Sequence, residues 1–309
     1  MKKSETPPNE YVQIIEDSIK NINDNGQFRH AFAEVLREFG CRLPQNIPGN
    51  TIFSKKSLYT KDGARIHGMA LRDHVRVYSK VVSDVRHRNI RLPLAALYIN
   101  THEQVHLLSD TSLDTCTTSL EKADVTFECS SFISGFLICT SFVRVGSKTE
   151  IPPSDALFVQ FNEGATEIIA RMVVRKFLEI YPPKDTSEKD VSFFLESMED
   201  GNRIAYYPEA VSFIRSLVSY IHKNGHLPEQ DIWEWLVRSY IRGTDLRTNA
   251  VWKKYVTLCP FLPRDFTKQL ESATVDDIKQ LEDNHLKLFE GLEVVVDEKP
   301  HKNASRRVV

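Results

Sequence analysis

Apolar positions recur at helical intervals over residues 9 to 40. Tyr11, Ile14, Ile15, Ile19 and Ile22 share one face, and a second helix, Phe28 to Phe39, follows the Asn25-Gly26 break. The stretch LPQNIPGN, Leu43 to Asn50, ends that pattern and leads into Thr51 to Val82, where β-branched and aromatic residues rise. Within it, ARIHGMALRDHVRVYSKVV divides around Arg72-Asp73 into two strands of a hairpin. From Pro93, which suits a helix start, LPLAALYINTHEQVHLL runs on without glycine or further proline. It aligns Leu94, Leu97, Thr101, Val105 and Leu108 in one stripe and predicts a largely buried helix.

Strand-like runs follow at Val125 to Cys129 and across GFLICTSFVRV, and Ile151-Pro152-Pro153 closes that section. NEGATEIIARMVVRKFLEIY then reads as a helix with Ile168, Ile169, Met172 and Val173 on its apolar side, stopped by Pro182-Pro183. Further helices are expected at Asp190 to Met198, Tyr207 to Lys223, Gln230 to Arg242, Asn249 to Leu258 and Val275 to Phe289. The last residues lack periodicity and read as a mobile tail. The pattern predicts an α+β fold, with a small twisted sheet from residues 51–90 and 125–160 beside two helices and a helical part after them. Four sections follow: an N-terminal helical segment over 1–50, a sheet-bearing domain over 51–182, a helical part over 183–291 and a tail over 292–309.

The chain has 309 residues, 41% hydrophobic and 27% charged, enough to bury a substantial core. Its 40 basic and 42 acidic residues nearly cancel, so the balance gives no reason to expect a nucleic-acid partner. No apolar run approaches the roughly 18 residues that span a bilayer, and none follows the two lysines at the N-terminus. The five scattered cysteines form no C-x-x-C pair. A soluble, unexported protein of the reducing cytoplasm is therefore expected, with no membrane partner.

The helix beginning at Pro93 carries His102-Glu103-Gln104-Val105-His106, the H-E-x-x-H pattern. Residues four apart lie one above the other on a helix, so both imidazoles can reach one ion. Glu103, offset around the helix, faces the position left for water, whose pKa a zinc ion lowers toward about 7. A catalytic zinc site normally takes three protein ligands. Glu163 is the best candidate for the third, because Glu167 follows it one turn later on the same face and can accept the outer N–H of a liganding histidine.

H-E-x-x-H followed by a helix bearing N-E-G-x-x-E resembles the gluzincin metallopeptidases over roughly residues 60 to 180. The long segment between the two helices makes the small single-domain members and related uncharacterised bacterial proteins the nearer likeness. The resemblance implies a zincin-like fold and a zinc metallopeptidase. It places metal ligands at His102, His106 and Glu163, the general base at Glu103 and a supporting acid at Glu167. A peptide or protein substrate is implied. A regulatory or interaction protein that keeps a zinc site without turnover is the alternative.

An oxyanion donor is expected as well, with Tyr240 or Arg242 in SYIRG as candidates, although a packed helix end explains both. His67, His74 and His87 precede the site helix and read as ordinary surface or core histidines. Gly146-Ser147-Lys148-Thr149 lacks the earlier glycine of a phosphate loop. Trp233 and Trp235 are expected in the core of the helical part.

Overall fold

A computed structural model describes residues 9–24, 26–45, 47, 50–54, 58–59, 65–66, 68–70, 74–78, 90–109, 112–120, 125–144, 150–151, 156–182, 186–199 and 207–287. The expected tail, His67, His87 and the Gly146–Thr149 segment lie outside these residues, as does the side chain of His74. The chain begins with α1 (Asn9–Asp24) and α2 (Gly26–Glu38), then β1 (Asn50–Ser54), β2 (Leu58–Tyr59), β3 (Arg65–Ile66), β4 (Gly68–Ala70) and β5 (His74–Tyr78). Helix α3 (Leu92–His106) follows, then β6 (Ser112–Leu120), β7 (Val125–Ser134), β8 (Leu137–Arg144) and β9 (Glu150–Ile151). The remaining elements are α4 (Val159–Ile180), α5 (Glu188–Glu199), α6 (Pro208–Gly225), α7 (Glu229–Ile241), α8 (Ala250–Thr257), α9 (Phe266–Glu271) and α10 (Val275–His285). The architecture is α+β and mostly helical, and no described helix is long and apolar enough to cross a membrane.

The two strands expected on either side of Arg72-Asp73 are β4 and β5, paired antiparallel, but β5 also takes β1 as a parallel neighbour, giving the order β1-β5-β4. A parallel partner some twenty residues back is a long-range choice that alternation within one strand does not encode. A second sheet is a meander, β6-β7-β8-β9, in which β6 pairs with β7 from Ser112↔Ile133 to Leu120↔Val125. The sequence SLDTCTTSL of β6 is mostly hydroxylated and was not expected as a strand; its neighbour β7 supplies the ladder that holds it extended.

One buried apolar cluster extends from Val12 in α1 through Phe32 in α2, Leu94 in α3, Ile169 in α4 and Phe213 in α6 to Leu286 after α10. The changes of texture at residues 50 and 182 thus fall within a continuous core. Helix α3 is buried on every side from Leu94 to Val105, as an apolar helix at the centre of a domain must be. Its polar residues need partners there, and Asn100 and Gln104 find them in a clasp around Thr51 of β1. Thr51 Oγ1 accepts from Asn23 Nδ2 at 2.8 Å and Gln104 Nε2 at 3.2 Å and donates to Asn100 Oδ1 at 3.0 Å. Asn100 Nδ2 completes the ring on Asn23 Oδ1 at 2.9 Å. This binds α1 and β1 to the back of α3, the helix that carries H-E-x-x-H.

Trp235 stacks on Trp252 at 5.9 Å, and Trp252 meets Phe161 of α4 at 5.6 Å, so the aromatic part of α7 and α8 packs behind the start of α4. Trp233 is half-buried at the edge of this layer.

Candidate metal centre

His102 and His106 stand four apart on α3 and face Glu163 in the first turns of α4. Nε2 of His102 and Nε2 of His106 each lie 3.4 Å from the same oxygen, Glu163 Oε2. The three ligand atoms all fall within 4.8 Å of one another. A tetrahedral ion with ligands at about 2.0–2.1 Å has ligand-to-ligand edges of about 3.3–3.4 Å, so the two edges to Glu163 match those around a zinc-sized cation. Glu163 and His106 are partly open to solvent, and His102 is buried.

The position of each ligand is set by residues behind it. Glu167 Oε2 is 3.0 Å from His102 Nδ1, which leaves Nε2 of that ring directed at Glu163. The other oxygen of Glu167 accepts from the Tyr98 hydroxyl and from Arg171 Nε, the latter at 2.8 Å, so this fully buried carboxylate is held from three sides. On the His106 side, Thr166 Oγ1 approaches Nδ1 at 3.5 Å while bonding the Tyr240 hydroxyl at 2.8 Å and donating to the carbonyl of Asn162 at 2.9 Å.

The electrostatics follow from this crowding of acids and imidazoles. Burial alone would lower the His102 pKa, but its bonds to Glu163 and Glu167 and the charge of Glu103 outweigh that and raise it to about 10. Burial would raise Glu163, yet the charges and hydrogen bonds of His106 and His102 hold it well below the usual carboxylate range. Glu103, nearly buried on α3, is close enough for its charge to act on His102, Tyr207 and Tyr240.

The two oxyanion candidates from SYIRG take different places. The Tyr240 hydroxyl is buried behind the site on Thr166, its ring against Phe136, and burial pushes its pKa up. Arg242 caps the end of α7 and lies near Cys41, whose thiol burial pushes up against the opposing charges of Arg238 and Arg242. The phenol beside the metal ligands is Tyr207, which sequence reasoning missed. Its ring stacks on His102 at 6.1 Å and 16°. Its pKa is pushed far up, first by the charge of Glu163 and then by burial, the charges of Glu103 and Glu167 and a hydrogen bond with Glu163.

Tyr207 stands immediately before Pro208 at the start of α6 in a left-handed conformation, φ 53°, which is strained for an aromatic residue. Left-handed backbone cannot be read from residue type when the residue is not glycine. The one available signal was an aromatic directly before a helix-starting proline.

No family model, curated protein or solved structure matches the chain. The site is therefore read from its own geometry, and that geometry also explains the residues flanking Glu163. Asn162 Oδ1 accepts the backbone N–H of Phe136 at 2.9 Å, while the Gly135 N–H bonds Ser109 Oγ just past α3. The tight turn between β7 and β8 is thus pinned to both metal-bearing helices. Gly164 faces the carbonyl of Ala210, and a Cβ there would come within 2.9 Å of that backbone and of Ile214 Cδ1. Asn-Glu-Gly is in this chain a turn anchor, a candidate metal ligand and a close helix crossing in three successive residues.

Proposed function

We propose that this chain is a zinc-dependent hydrolase of the gluzincin type, cleaving peptide bonds. The observation that carries the reading is the pair of 3.4 Å edges from His102 and His106 to one oxygen of Glu163, with Glu103 on the same helix next to the cluster. Two imidazoles and one carboxylate form the donor set of catalytic zinc, which usually keeps a fourth position open. Zinc held there would polarise a carbonyl and make water acidic enough to ionise near neutral pH.

The remaining chemistry belongs to the side chains. Glu167 fixes the His102 tautomer by accepting from Nδ1, so that Nε2 presents its lone pair to the ion. The Glu103 carboxylate takes the proton of the attacking water and returns it to the leaving amine. The Tyr207 hydroxyl, held protonated by the surrounding carboxylates, donates to the oxygen that gains charge as the carbonyl becomes tetrahedral. Strand β4 ends its sheet among the described residues and packs against α3, where an extended peptide can add to it. We read this sheet, α3 and α4 together as zincin-like, and the free thiols of Cys41, Cys139 and Cys259 support a reducing, cytoplasmic setting.

The test joins metal content to turnover. Purified protein should hold about one zinc per chain, and the H102A/H106A double variant should hold none. Glu103→Gln should keep the metal while losing about 10²–10⁴-fold in cleavage of a fluorogenic peptide library. Zinc retained with undiminished cleavage in that variant sinks the assignment of Glu103. Zinc bound with no cleavage of any peptide by the wild type favours the non-catalytic alternative.

A further inference from the structure

Residues 163, 167, 171 and 175 follow at intervals of four along α4, so two acids and then two arginines make one stripe on that helix. The acidic half carries the metal centre. The basic half lines a surface cavity of about 400 Å³, which Arg215 of α6 and Trp233 of α7 also border.

Arg171 is the buried charged residue of this lining, only 4% exposed. Its Nε is committed to Glu167 at 2.8 Å, and its Nη2 has no hydrogen-bond partner among the described residues. A guanidinium nitrogen shut away from water and unpaired is costly to the fold and marks a position where an acceptor is wanted.

Three guanidinium groups converge beside it on one carboxylate. Glu199, the last residue of α5, accepts Arg175 Nη2 at 2.8 Å and Arg215 Nη1 at 2.9 Å, while Arg171 Nη1 stands 3.9 Å off. Glu167 and Glu199 are the acids paired with the three arginines, and with Lys176, Glu38 and Glu179 counted the four cations and four carboxylates balance. The cavity's other cation, Lys176, is taken up by Glu38 at 3.2 Å and Glu179 at 3.6 Å. A single carboxylate offers two oxygens to three guanidinium groups and leaves Arg171 Nη2 without one. It is also weakly held, because Arg175 and Arg215 are 56% and 48% exposed and surface pairs of that kind contribute little.

We propose that this cavity binds a phosphate dianion, free or as a phosphomonoester, through Arg171, Arg175 and Arg215. Glu199 is the internal anion that the ligand displaces. A tetrahedral dianion brings more acceptor oxygens and one more negative charge than the side chain it replaces, and guanidinium groups pair such oxygens two at a time.

Calorimetric titration of the full chain with inorganic phosphate at constant ionic strength, with chloride as control, tests this. The expected result is saturable one-site binding in the millimolar range or tighter. Removing the competing charge in Glu199→Gln should tighten it at least fivefold, and the R175A/R215A double variant should weaken it at least tenfold. Phenyl phosphate binding as tightly as inorganic phosphate would identify the phosphomonoester as an accepted form, and binding of inorganic phosphate alone would restrict the site to the free ion. No saturable heat in the wild type and in Glu199→Gln overturns the proposal. So does phosphate binding that the double variant leaves intact, since the ligand then sits elsewhere, the metal centre included.

Discussion

Glu167 Oε2 lies 3.0 Å from Nδ1 of His102, a contact between residues 65 positions apart that joins α3 and α4 through the core. The same carboxylate holds Arg171, so one acid orients a ligand and neutralises a buried cation at once. Glu167→Gln should therefore act twice. Zinc affinity, followed by competition with a chromophoric chelator, should fall about 10–100-fold. Metal-free stability should fall by about 3–5 kcal/mol, because Arg171 is left without its buried partner. Loss of stability with unchanged zinc affinity would show that Glu167 serves only the ion pair.

The two tyrosines beside the site should part company. Tyr207→Phe is expected to lower kcat/KM by about 10²–10³-fold with zinc content unchanged, as removal of an oxyanion donor does. Tyr240→Phe should leave most of the turnover and cost about 1 kcal/mol of stability, since the buried Thr166 hydroxyl loses its partner at 2.8 Å. Steady-state kinetics and thermal unfolding of the two variants separate these outcomes, and the reverse pattern would exchange the roles.

Gly164 makes a packing prediction independent of chemistry. An alanine there would push its Cβ to 2.9 Å from the backbone of Ala210, where no flexible side-chain end can yield. Gly164→Ala should cost about 1–3 kcal/mol and shift α4 against α6, with metal affinity falling as Glu163 moves. Gly135→Ala should be worse, because Gly135 has φ +64° and its added carbon would meet Tyr240 at 2.6 Å and collide with Asn162.

Glu199 predicts an acid-side dependence. Burial alone would raise its carboxyl, but the hydrogen bond and charge of Arg215, with the charges of Arg171 and Arg175, hold it below the usual range. A carboxylate depressed on folding contributes stability above its unfolded value, about 4.3, and loses that contribution as pH falls through the lower folded value. The group is a third exposed, so the contribution is at most about 1 kcal/mol. Glu199→Gln should be slightly less stable than the wild type at neutral pH in phosphate-free buffer. The difference should close below about pH 4, measured by denaturant unfolding at each pH.

How far the chain could be read depends on the distance over which each feature is set. H-E-x-x-H is local, since the helix period alone aligns His102 with His106, and Glu163 to Glu167 is another interval of four. The hairpin at Arg72-Asp73 and most helix positions are local too. Other features arise across the fold. Strand β6 exists because β7 lies beside it, and β1 pairs with β5 in parallel. Tyr207 reaches His102 from a helix start about a hundred residues away. Tyr240 was drawn to the site by its residue type, but only packing decides that its hydroxyl ends on Thr166. Asn162 and Gly164 stood in plain view as neighbours of Glu163, yet their partners, Phe136 and Ala210, are known only once the helices cross.

The clasp around Thr51 also sets an order of events in the life of the polypeptide. Asn23 meets Asn100 across 77 residues, and until that second half has been made, helix α1 lacks α3, its main partner for Val12, Ile15 and Ile19. At a synthesis rate of about 5–20 residues per second, the wait is about 4–15 seconds. Through that interval the nascent chain presents a sticky amphipathic segment at the ribosome exit, the kind of surface that chaperones attend. The back of α3 is held by a piece of the molecule that emerged long before it.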